Sequence, residues 1–108
     1  MSREKLVEDC LDLEDEIQKS FEARLDGAYG IIFMSKRKLL FITEKGRFRK
    51  RYDLVLDLPY EKIKSLRTER DYTLIVEDIG GLKHAFRSVM RGQIVEKALV
   101  ELMSKEPS

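Results

Sequence analysis

The densest chemistry in this chain lies between Lys45 and Arg51. Lys45, Arg47, Arg49, Lys50 and Arg51 are cations, and Phe48 stands among them. Cations at this density attract phosphate groups, nucleic acid or acidic protein. An aromatic side chain in their midst can enter a bilayer interface or a partner's pocket. The run belongs to an uneven charge pattern. Residues 1–35 hold 4 Lys/Arg and 9 Asp/Glu, residues 36–70 hold 12 and 5, and residues 71–108 hold 5 and 6. The formal net charge of +1 therefore hides a basic middle third.

Catalytic signatures are sparse. His84 is the single histidine and no partner motif accompanies it. Cys10 is the single cysteine, so the chain forms no internal disulfide and no zinc site of the usual kind. It falls on an apolar helix face and reads as a buried, inert thiol. The acidic clusters Glu8-Asp9 and Asp12, Glu14, Asp15 and Glu16 have no spacing that selects a metal, and they read as a solvated face. Gly80-Gly81 lacks the rest of a phosphate loop. Tyr60 beside Pro59 reads as a packing residue. The expectation is a non-enzyme with no cofactor and no metal.

The 108 residues suit one domain, and 43% hydrophobic content can build one modest core. No apolar run reaches the roughly 18 residues of a membrane span, and the N-terminus has no apolar signal core. The single cysteine suits a reducing compartment, so the expected location is the cytoplasm, with a peripheral place at the membrane as a variant. Asn is absent and Gln occurs only at Gln18 and Gln93, a composition of the kind found in warm-growing organisms.

The elements that must position these residues follow from periodicity. Leu6, Val7, Cys10 and Leu11 share one helical face, so residues 1–13 form a short N-terminal helix with Ser2 as its cap. Residues 13–22 fit both a helix and a strand; a first strand over Glu16–Leu25 is expected, turning at Asp26-Gly27. Further strands are expected at Ala28–Ser35, Lys38–Thr43, Leu54–Leu58, Ile63–Glu69, Tyr72–Glu77 and Leu82–Ser88. Glu44–Asp53 is either a loop or an extension of its flanking strands. Pro59 has no N–H and ends central pairing. Ile94, Val95, Ala98, Leu99, Leu102 and Met103 stripe a closing helix over residues 92–104, and residues 106–108 should fray. The helix would cover the open end of a small sheet spanning 16–88.

Two segments carry a resemblance. One is Gly30-Ile31-Ile32-Phe33-Met34-Ser35, then Lys36-Arg37-Lys38, then Leu39-Leu40-Phe41. The other is Leu56-Asp57-Leu58-Pro59-Tyr60-Glu61-Lys62-Ile63. Together with the closing helix, this pattern resembles the pleckstrin-homology-like superfamily, nearest to its prokaryotic and GRAM-type members. The resemblance implies a mainly β fold: a seven-stranded bent barrel of two orthogonal antiparallel sheets, capped by the C-terminal helix. It also implies a non-catalytic binding module. Lipid-binding members use the loop between strands one and two, often with that between strands three and four. Here the first of these, Leu25-Asp26-Gly27-Ala28, is short and acidic. The second holds Lys45, Arg47, Phe48, Arg49, Lys50 and Arg51. Lys36-Arg37-Lys38 should lie at the other end of the barrel.

Three functions follow as expectations. The first is protein–protein interaction or self-assembly through sheet edges and the helix–sheet groove, with self-association giving a role to an otherwise spare N-terminal helix. The second is a peripheral adaptor binding anionic membrane lipid through the strand three–four loop. The third is nucleic-acid binding through the same residues, which the near-neutral net charge disfavours.

Overall fold

A computed structural model describes residues 2–105. The expected fraying of 106–108 lies outside them. The fold is mainly β: α1 (Arg3–Cys10), β1 (Ile17–Leu25), β2 (Ala28–Ser35), β3 (Lys38–Lys45), β4 (Arg51–Pro59), β5 (Ile63–Glu69), β6 (Thr73–Asp78), β7 (Lys83–Ser88) and α2 (Gly92–Ser104). A single 3-10 turn, Tyr60–Lys62, joins β4 to β5. The seven strands form one antiparallel sheet in the order β4-β3-β2-β1-β7-β6-β5. Hydrogen bonding therefore runs unbroken across the two groups of strands that were expected as separate sheets.

Local chemistry sets the turns. Asp26 and Gly27 both have positive φ, 52° and 82°, the geometry that a two-residue hairpin needs to match strand twist. Residues 13–22 resolve as a turn followed by a strand from Ile17, and Leu13 is fully exposed. Lys45 pairs with Arg51, so β3 and β4 extend through the segment that had two readings and leave a tip of residues 46–50. Pro59 pairs with Lys38 as the last residue of β4, an edge strand where a missing N–H is tolerated.

The sheet does not lie flat. Phe41 of β3 and Phe86 of β7 are three strand positions apart, roughly 14 Å along a flat sheet. Their ring centroids lie 5.4 Å apart. The sheet must turn back on itself around one core, which also takes Ile32, Leu39, Leu74, Val76, Val95 and Leu99. The two groups of strands are joined only where Ala23, Arg24 and Leu25 of β1, still paired with β2, also pair with β7. The buried face of α2 (Val95, Ala98, Leu99, Leu102) closes this core, packing on β5, β6, β7 and β2. Each large side chain so buried contributes about 1.5–3 kcal/mol.

α1 covers the outer face. Ser2 caps it by accepting from the Lys5 N–H at 3.1 Å, and Glu4 complements the helix dipole in the first turn. Val7 packs with Leu6, Cys10 and Leu11 against Leu40 and Ile42 of β3. This corrects the expectation of a spare helix. It also explains why Leu39 through Thr43 are all buried: alternate side chains enter the main core and the layer beneath α1.

Candidate functional site

The six residues singled out in the sequence sit together on the β3–β4 hairpin. Gly46 makes the tip possible: its φ is +105°, and a Cβ there would stand 2.1 Å from the Arg49 carbonyl oxygen. Lys45 and Arg51 face each other at the base of the tip. Lys50 Nζ lies 3.3 Å from Glu44 Oε2, and Arg51 Nε lies 3.6 Å from Asp53 Oδ2. Such exposed pairs are worth about 1 kcal/mol or less and open readily. Lys45, Arg47 and Arg49 have no ion-pair partner among the described residues. Phe48 is 96% exposed between Arg47 and Arg49. Lys36, Arg37 and Lys38 lie at the other end of β3, roughly 24 Å away at strand rise.

The opposite end holds a polar cluster that sequence reasoning missed. Asp15, expected on a solvated face, is only 9% exposed. Its Oδ1 accepts from the N–H groups of Glu16 at 2.8 Å and Lys36 at 2.9 Å, and its Oδ2 from the Ser35 hydroxyl at 2.7 Å. Ser35 Oγ in turn accepts from the N–H groups of Arg37 and Lys38. Tyr60 is buried, as a packing residue should be, but its hydroxyl also donates to the Ser35 carbonyl at 2.5 Å. Burial, and secondarily the charge of Asp15, pushes the Tyr60 phenol well above its ordinary value, so it remains a neutral donor. A carboxylate twenty residues upstream of its hydroxyl partner gives no local signal, which is why the pattern hid it.

His84 and Cys10 both have structural surroundings. His84 Nε2 lies 3.2 Å from Asp78 Oδ2, while Asp78 Oδ1 accepts from the N–H groups of Gly80 and Leu82 and so ties the β6–β7 turn. The His84 hydrogen bond, followed by the Leu82 N–H, lowers the Asp78 carboxyl below its ordinary value. A lowered folded value means that the stabilisation is present above the unfolded carboxyl range and is lost as pH falls through the folded value. Below about pH 4, the thermal midpoint of the wild type should therefore fall more steeply than that of Asp78→Asn. Equal slopes would show that the turn gains nothing from the charge. Burial, then the charge of Asp57, pushes the Cys10 thiol upward, which disfavours the reactive thiolate. Among the described residues, no group of three or more His, Cys, Asp and Glu could hold a metal ion.

Two grooves flank α2. On one side Val100, Met103 and Ser104 face Ile63, Lys64 and Leu66 of β5, enclosing about 460 Å³. On the other, Ile94, Lys97, Ala98 and Glu101 face Lys19 and Phe21 of β1 across about 420 Å³. Further along the helix a separate hollow is lined by Leu102 and Lys105 with Glu14, Gln18, Lys36 and Arg37. Ile94 belonged to the expected buried stripe, yet it is 46% exposed.

No protein-family model matches this chain, and no curated protein matches it. Among solved structures, it is similar to the crystal structure of the C-terminal domain of an unknown protein from Leishmania infantum. The TM-score is 0.71 at 16% identity, covering 96% of this chain and 100% of that one. At that identity the likeness shows the fold alone. No helix among the described residues is long and apolar enough to cross a membrane.

Proposed function

We propose that this chain is a non-catalytic binding module of the pleckstrin-homology-like type, a bent barrel that engages a protein partner beside α2. The strand order, the Phe41–Phe86 contact across the bend and the capping helix support the fold reading. One observation carries the functional reading. α2 lies between two strands with open edges, β5 and the first half of β1, and shows Ile94 to one groove and Val100 to the other. An open edge offers unpaired backbone groups, and an adjacent apolar groove accepts alternate side chains of an added strand. The test is selection of displayed random peptides on the full chain, followed by hydrogen exchange. Bound peptides should protect 63–69 or 17–22 together with α2. Failure to enrich any peptide, or protection confined to α1, would sink the reading.

The exposed Phe48 favours a second reading, peripheral attachment to anionic membrane through the β3–β4 tip, in a cytoplasmic protein. Each basic residue near such a surface contributes about 1 kcal/mol. Replacing Arg47, Arg49, Lys50 and Arg51 by Ser should abolish co-sedimentation with anionic liposomes at low salt. The same variant should shift stability by about 0.5 kcal/mol or less per site. Equal sedimentation of variant and wild type would remove the tip from the account.

A further inference from the structure

We infer that the groove between β1 and α2 receives an acidic, extended peptide that adds a strand to β1. This rests on the protein-binding reading and names one groove, one mode and one partner chemistry within it.

The backbone argument comes first. Leu25 and Ala28 flank the two-residue turn, so Leu25, Ala23 and Phe21 turn their N–H and C=O groups toward β2. Arg24, Glu22 and Ser20 turn theirs the other way. The Glu22 carbonyl accepts from the Val89 N–H at 3.2 Å, which fixes this assignment. One step further along, pairing with β7 has ended, and Ser20 has no backbone partner on that side among the described residues. The irregularity near Gln18 and the Glu22–Val89 bond leave Lys19–Phe21 as the regular stretch of free edge, with Ser20 presenting its backbone groups outward.

Space and charge then choose the occupant. From Ile94 to Lys105 the helix spans roughly 16 Å, the length of about five extended residues. The upper part offers an apolar well between Phe21, Ile94 and Ala98. This hollow and the one further along the helix together carry five cations, Lys19, Lys36, Arg37, Lys97 and Lys105, against two carboxylates, Glu14 and Glu101. The pairing of Lys36 with Glu16, at 3.5 Å, is more than half exposed on both sides and opens at little cost. The groove beside β5 differs: its one charge, Lys64, also has a carboxylate neighbour, Glu77, at 3.9 Å, and the strand is irregular between Ile63 and Ser65. The partner's charge should therefore be read on the β1 side.

The experiment offers the full chain three displayed peptide pools of matched length, in which Val alternates with Glu, with Lys or with Ser. The Glu pool should enrich at least about ten-fold over the Lys pool, with the margin shrinking in salt. Ser20→Ala keeps the backbone N–H and should bind like wild type. Ser20→Pro removes that N–H from the free edge without touching the β2 ladder, and should lose binding. Ile94→Glu, at an exposed position, should also lose it, which protects the test if the proline variant misfolds. If peptides enrich without acidic preference, or bind Ser20→Pro and Ile94→Glu as well as wild type, this inference falls and the general protein-binding reading stands. If no pool enriches and the random selection above also fails, both fall. Self-association in sedimentation that Ile94→Glu abolishes would make the occupant a second copy and overturn the acidic-peptide assignment.

Discussion

Gly30→Ala is expected to destabilise the protein at or above the upper end of the 1–3 kcal/mol that overpacking usually costs, about 3 kcal/mol. Gly30 is buried in β2 opposite Thr43 of β3. A Cβ there would lie 2.4 Å from the Ile42 carbonyl oxygen, 2.9 Å from Thr43 Cα and 2.8 Å from the tip of the Phe41 ring. Two of those three neighbours are backbone in a strand paired on both sides, so they cannot yield without breaking ladder bonds. Phe41 can move only against Phe86 and the rest of the core. Urea unfolding measures the effect as a lowered midpoint at unchanged slope. A midpoint shift corresponding to less than about 0.5 kcal/mol would mean that β2 and β3 have slack that the packing does not show.

Asp15→Ala should cost about 3 kcal/mol, because it strands two backbone N–H groups and a hydroxyl in a buried place. The N–H groups of Glu16 and Lys36 lose their acceptor, and Ser35 loses the carboxylate it donates to. Ser35 retains the Lys38 carbonyl at 3.2 Å as a second acceptor, so its share of the loss is small. The damage should be local: amide exchange should quicken at Lys36, Arg37 and Lys38, whose turn this cluster holds, and stay unchanged at the β3–β4 tip. Uniform acceleration would contradict a local role.

The readable part of the fold was the part with local causes. Asp26-Gly27 announced its turn because both residues tolerate positive φ, and β2 and β5 kept their expected limits because turn residues bound them. Lys45, Arg47, Phe48, Arg49, Lys50 and Arg51 could be placed on one hairpin tip because they are contiguous. The rest required contacts between distant segments. Leu39 to Ile42 carry no alternation, since the main core and the layer beneath α1 bury opposite faces of β3, so the packing of α1 could not be read there, and Asp15 meets Ser35 only across twenty residues. The groove between β1 and α2 was hidden for the same reason. Ile94 looks like a core residue by helical spacing, yet it lines the hollow facing Lys19 and Phe21 and is exposed.

The three-residue junction between β1 and β7 also bears on how the chain reaches this state. Every other pairing in the sheet joins strands that are consecutive in sequence. Ala23 meets Ser88 across about 65 intervening positions, and such a closure must be made before its contacts reward it. The hairpins can form early and independently, and the closure of β7 onto β1 is the step expected to limit the rate. Substitutions at Ala23, Leu25 and Phe86 should then move the refolding arm of a chevron, and equally disruptive changes at the β3–β4 pairing should move the same arm, because an early hairpin is already in place when the closure occurs. The free edge of β1 begins where this closure stops, so the kinetic gate of the fold also sets where the hollow beside α2 opens.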